Sequence, residues 1–237
     1  MLNINMTTKG AINQNSILSI NLPDPESIKN QKNIKTINSL KNQYKVIPIQ
    51  ENTMHIPKLY NPLKKGQKIA ILSNDIIEAY FGWNTDDIHC DVDVSAFLLD
   101  KNDKVLGDDW FVFYGQTTSP DKSTMWIGEA STDRQKIDID IKKINANVQK
   151  IVFVLTIDEA LTKKLHFGMI RDAYIRIMNQ DKEIVSFMIT EYDTNIISMV
   201  IGELYLYHGQ WKFNAVGNGL AKDLAGLCEW YGVAVIS

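Results

Sequence analysis

Asp91-Val-Asp-Val-Ser-Ala-Phe-Leu-Leu-Asp100 is the stretch on which the fold turns. With His89-Cys90 before it, polar and apolar side chains alternate until a turn at Asp100-Lys-Asn-Asp103. Period-two alternation belongs to a strand whose two faces see different surroundings. It puts His89, Asp91, Asp93 and Ser95 on one face and Cys90, Val92 and Val94 on the other.

The same signal recurs on both sides. Lys68-Ile-Ala-Ile-Leu72 alternates weakly, Trp110-Phe-Val-Phe-Tyr114 reads as another strand, and Ile137-Asp-Ile-Asp-Ile141 alternates strictly. Ile151-Val-Phe-Val-Leu-Thr-Ile157 is an unbroken apolar run, expected of a central strand covered on both faces. Tyr174–Met178 and Ile184–Ile189 follow, and Gly202–Tyr207 and Trp211–Val216 read as a hairpin turning at His208-Gly-Gln210. Two short helices are expected. One spans Glu159–His166, capped by Asp158 and stopped by Gly168; the other spans 219–231 with Gly232 as its stop. Gly217-Asn-Gly219 reads as a turn before the second helix. Many short strands with few helices predict an all-β fold, a two-sheet β-sandwich.

The first 58 residues differ. Ten are Asn, none is Trp or Phe, and short apolar patches are scattered among Asn, Lys, Ser and Pro. Such a segment cannot build a large core of its own. The reading divides the chain into an extension, residues 1–58, and a sandwich domain, residues 59–237. The extension is either partly disordered or adds edge strands to the body.

Composition narrows the function classes. The extension carries seven Lys and three acids, a net +4, while the whole chain carries −3, so the body is acidic at −7. An acidic body argues against nucleic-acid binding. No run approaches the roughly 18 apolar residues of a membrane helix, and the N-terminus lacks a signal-peptide pattern. A cytoplasmic protein that is not itself membrane-embedded is expected. Two cysteines give neither a disulfide framework nor a four-Cys zinc site. No GxxxxGK[ST] phosphate loop is present, and His89, His166 and His208 lack metal-ligand spacing.

Collinear segments resemble the TerD-type domain of tellurite-resistance and stress-response operons. They are Leu63-Lys-Lys-Gly-Gln-Lys68, Phe81-Gly-Trp-Asn84, Asp91–Asp100, Asp109–Tyr114, Lys150–Ile157, Phe167-Gly-Met-Ile-Arg-Asp-Ala-Tyr-Ile-Arg-Ile177, Gly202-Glu-Leu-Tyr205 and Trp211–Gly219. The resemblance implies a sandwich that binds calcium through carboxylates of the Asp-x-Asp strand and of a Gly/Asp/Glu-rich loop. Carried over, the metal ligands are Asp91, Asp93, Glu129 and Asp133. It also implies a non-enzymatic binding or scaffold role among stress-operon proteins, within membrane-associated complexes.

The sequence departs from that pattern in the loop. Met125–Gln135 is shorter than the family's stretch, and Ser131, Arg134 and Gln135 stand where acids are expected. Asn84 replaces the Asp after Gly-Trp. Calcium wants six to eight oxygens and binds more tightly as ligand charge rises. One weakened site, or none, are both open readings, with an Arg134–carboxylate pair able to stand in for the cation. Two alternatives stay beside the scaffold reading. The extension could dock a partner or a second copy by strand addition, or the acidic cluster could serve a metal-dependent hydrolase. Asp138 and Asp140 read as a solvated strand face.

Overall fold

The computed structural model describes residues 53–72, 75–87, 89–130 and 132–234. Readings made for residues 1–52, and for Ser131, lie outside them. The strands in chain order are β1 (Pro62–Leu63), β2 (Lys68–Ala70), β3 (Ile76–Thr85), β4 (Val92–Leu99), β5 (Phe111–Val112), β6 (Thr124–Glu129), β7 (Gln135–Asp140), β8 (Lys150–Ile157), β9 (Ile170–Asn179), β10 (Lys182–Met188), β11 (Ser198–Tyr207) and β12 (Gln210–Leu220). They form two six-stranded sheets. Sheet A has the order β1-β10-β9-β3-β7-β6 and sheet B the order β2-β12-β11-β8-β4-β5. The expected β-sandwich is therefore present.

Alternation explains which residues meet between the sheets. Ile77, Ala79 and Phe81 of β3 and Ile175 and Ile177 of β9 face Ile151, Phe153 and Leu155 of β8 in one buried cluster. The opposite face of sheet B is also covered. Val152 and Val154 join Phe97, Leu99, Phe111 and Phe113 in a second cluster, closed by Leu227 and Cys228 of the helix α2 (Leu224–Tyr231). Two covered faces are why β8 is apolar at every position from Ile151 to Leu155.

Turns match their chemistry. His208 and Gly209 both have positive φ, at 49° and 76°, as a two-residue I′-type hairpin requires. Helix α2 is capped by Asp223, whose Oδ1 accepts from Gly226 N at 2.9 Å, and ends at Gly232 with φ 84°.

Several local expectations are corrected. The second helix begins at Leu224, not 219, because β12 runs on to Leu220. Gly217 and Gly219 are strand residues: Gly217 has φ 61°, and a Cβ on Gly219 would lie 2.7 Å from Ile196. The first helix, α1, is one turn, Ala160–Lys163. Its cap position is Glu159 in the left-handed region with no side-chain cap, so Asp158 does not cap it. Gly168 lies in a separate 3-10 turn, Phe167–Met169. Trp110 closes a 3-10 turn, Asp108–Trp110, so the strand expected over Trp110–Tyr114 is confined to Phe111–Val112.

Candidate functional site

A cleft of about 630 Å³ lies where β4 of sheet B approaches the β6–β7 connection of sheet A. Asp91, Glu129 and Asp133 line it, together with Cys90, Arg134 and Gln135. Met54, His55 and Pro57 line it as well. Three of the four residues singled out for metal binding thus share one cleft. The fourth, Asp93, reaches the site through Gln135.

Their states differ. Asp91 and Glu129 are exposed, Asp93 is half-buried, and Asp133 is buried at 5% exposure. The Asp133 carboxylate is held by four donors. Oδ1 accepts from Tyr174 Oη at 2.7 Å and from Arg176 Nε at 2.9 Å. Oδ2 accepts from Arg176 Nη2 at 2.5 Å and from Thr132 Oγ1 at 2.7 Å. A carboxylate offers about four lone-pair positions, and these four donors fill them. The fork of Arg176 gives the bidentate geometry of a strong ion pair.

Gln135 organises the other half. Its Oε1 accepts from Val94 N at 2.9 Å, tying β7 of sheet A to β4 beyond the end of β5. The same oxygen accepts from Trp126 Nε1 at 3.3 Å, and Nε2 donates to Asp93 Oδ1 at 3.5 Å. Burial, followed by the nearby charges of Asp91 and Asp158, pushes the Asp93 carboxyl up to about 6 despite the Gln135 bond. Asp158 is tethered to Asp91 by its backbone N–H, 2.8 Å from the Asp91 carbonyl. Burial also raises its carboxyl, with Lys163 opposing. Tyr114 is raised by burial and then by Asp93, Asp158 and Asp91.

Arg134 donates Nε to the Trp83 carbonyl at 2.7 Å and sits 5.7 Å above the Trp83 ring. The guanidinium on Asp133 is that of Arg176. Sequence reading missed Arg176 and Tyr174, although alternation in Tyr174-Ile-Arg176 places both on one strand face. Asp138 pairs with Lys136 at 3.0 Å and Asp140 with Lys143 at 2.9 Å.

This set does not fit a calcium ion as it stands. Asp133 has its lone pairs occupied, and Gln135 supplies an amide oxygen already bonded to Val94 and Trp126. Among the described residues no group of three His, Cys, Asp or Glu is arranged to hold a metal ion. None of the described helices is long and apolar enough to cross a membrane.

The TerD domain family model matches residues 60–231. The chain belongs to the TerD domain family. The TerD assignment agrees with relatives of known name. Tellurium resistance protein TerD of Serratia marcescens is 40% identical over 162 residues, 64% of this chain and 84% of that protein. General stress protein 16U of Bacillus subtilis is 31% identical over 188 residues, covering 73% of this chain and 97% of that protein. A solved structure of a TerD homologue from Streptomyces coelicolor A3(2) superposes with a TM-score of 0.51 over 69% of this chain and 100% of that one, at 10% identity, which speaks for the shared fold. The chain is thus a member of a tellurite-resistance and stress-response family.

Proposed function

We propose that this TerD-domain protein is a non-enzymatic binding or scaffold module of a cytoplasmic stress response of the tellurite-resistance type, and that its calcium site is weakened or lost. The observation that carries the reading is the saturated Asp133 carboxylate, whose charge is met by Arg176 rather than left for a cation. The cleft also lacks an activated nucleophile among its described residues. Cys90 lines it, but burial, then Asp87 and Asp91, push its thiol up to about 12. Its natural partners, on this reading, are other stress-operon proteins and the membrane-associated complexes they form.

Two measurements test it. Thermal melting across a calcium titration should stay flat to millimolar calcium. A ligand at 100 times its Kd adds about 2.7 kcal/mol, so a rise of several degrees would overturn the loss of the site. Deleting the gene in its host and scoring growth on tellurite and other chemical stresses should reveal sensitivity. Unchanged tolerance to all of them would overturn the stress role.

A further inference from the structure

The two sheets leave four edge strands, β1 and β6 in sheet A, β2 and β5 in sheet B. β1 and β5 are two residues long. β6 has chain against its outer side, where Trp126 N donates to the Thr117 carbonyl at 2.8 Å. β2 is bonded to β12 on one side, and among the described residues no strand lies on the other.

The free side of β2 is a row of donors and acceptors. Ile71 N donates to the Trp211 carbonyl at 2.9 Å, and Ala215 N to the Gln67 carbonyl at 3.0 Å, so the odd-numbered residues turn their main chain to β12. By alternation Lys68 and Ala70 turn N–H and C=O outward. The side chains of Ile69 and Ile71 pack into the cluster between the sheets, which leaves Lys68 and Ala70 on the outer face of sheet B. Leu72, next along, is 83% exposed.

This edge is basic in a chain whose net charge is −3. Lys68 Nζ lies 5.6 Å from the Tyr205 ring centroid, and Lys212 Nζ 4.3 Å from that of Tyr207. Lys212 stands directly opposite Ala70. Glu203 on the same face is taken up by Asn214 Nδ2 at 2.9 Å and faces Lys150 at 3.8 Å. Two more exposed lysines, Lys64 and Lys65, precede the strand. Lysines on an edge oppose pairing with an identical edge, because two copies would bring both groups onto one face. The same charge favours a strand of opposite sign.

We propose that the open edge of β2 takes up an extended acidic segment of another protein, added antiparallel as a further strand of sheet B. The incoming main chain pairs with the outward N–H and C=O groups of Lys68 and Ala70. Its alternate residues fall on the outer face: an acid opposite Lys68, a Glu opposite Ala70 that reaches toward Lys212, and an apolar residue opposite Leu72. The residues between them lie beside Ile69 and Ile71 and are apolar. No residue of β2 lines the cleft of Asp91 and Asp133, so this edge is a second place on the domain. The inference goes beyond the scaffold reading by naming a partner chemistry. Its failure would leave the calcium titration and the tellurite phenotype standing.

A labelled, end-blocked peptide, Leu-Val-Glu-Val-Glu-Thr, titrated with the full chain and followed by fluorescence anisotropy, tests the proposal. Binding should saturate and weaken as salt is added. N-methyl groups on both Glu nitrogens should abolish it, because those N–H groups face β2; N-methyl groups on both Val nitrogens should be tolerated. Ala70→Pro removes an outward donor without touching the ladder to β12, and should weaken binding about tenfold while Tm holds. Lys68→Glu combined with Lys212→Glu should weaken it by about tenfold or more. Equal behaviour of the two N-methylated peptides would overturn the proposal, and so would a peptide with Lys for both Glu that binds as well. Displacement by polyphosphate of equal charge, at the same concentration as by unlabelled peptide, would show a charged patch instead of a strand edge. No binding at millimolar peptide, or a dimer of the free chain that Ala70→Pro dissolves, would overturn it too.

Discussion

The phenol edge of Tyr174 lies directly over Gly82, so closely that a Cβ at 82 would sit 2.4 Å from Cε1, Cζ and Oη of the ring. Glycine there is a packing requirement, not a turn. It leaves room for the ring beside β3, from where the hydroxyl donates to Asp133 at 2.7 Å. The site's central ion pair is thus seated on a missing side chain.

Gly82→Ala should therefore displace Tyr174 and loosen its bond to Asp133. Overpacking and a weakened buried hydrogen bond together cost about 2–4 kcal/mol. For a domain of this size that lowers Tm by on the order of 5–10 °C. Differential scanning calorimetry reads it directly. A variant as stable as the wild type would show that the ring is free to move away.

Asp133→Asn should cost about 3–5 kcal/mol, because it strands the Arg176 cation, whose side chain is only 13% exposed. The cost should be the same in calcium and in chelator, since the charge being neutralised is Arg176. Chemical denaturation in both buffers measures this. A loss seen only with calcium present would assign Asp133 to a metal instead.

Leu227, fully buried, fixes α2 to the outer face of sheet B beside Phe97 and Phe111. An eight-residue helix is marginal by itself, so it persists through this docking. Leu227→Ala should cost about 2–5 kcal/mol. Amide exchange should rise first in Leu224–Tyr231 and only later in β8. Simultaneous loss in both would show one cooperative unit instead.

The sheets were legible in the sequence because strand patterning is local. Ile151–Ile157 announces two covered faces, and His208-Gly209 announces its hairpin. Where reading failed, a distant neighbour decided. Gly217 and Gly219 look like a turn, yet a Cβ at Gly217 would meet Phe187 at 3.0 Å and one at Gly219 would meet Ile196 at 2.7 Å. They are glycines so that β12 can continue beneath other chain segments. The site was half legible. The Asp91 and Asp133 motifs could be found singly, but the shared cleft depends on how the two sheets meet. The partner that saturates Asp133 comes from β9, 43 residues away in sequence, and no spacing rule reaches that far.

Asp93 should leave a signature in the pH dependence of stability. Its carboxyl titrates near 6 in the fold, from an ordinary value of 3.8, with burial the first cause and Asp91 the next. Between these values the folded protein holds a proton that the unfolded chain has released. Stability from this group therefore falls as pH rises from about 4 to about 6, and above that the charged carboxylate is a standing cost. Two pK units set an upper bound of about 3 kcal/mol, and partial solvation reduces it to roughly 1–2 kcal/mol. Asp93→Asn keeps an oxygen for Gln135 Nε2 but carries no charge. The variant should melt a few degrees higher than the wild type at pH 7.5 and match it near pH 4. Melting curves for both proteins across that range decide the matter: equal gaps at the two ends would mean that Asp93 is solvated and ordinary, while a gap that opens only above pH 5 would locate the buried charge at this residue.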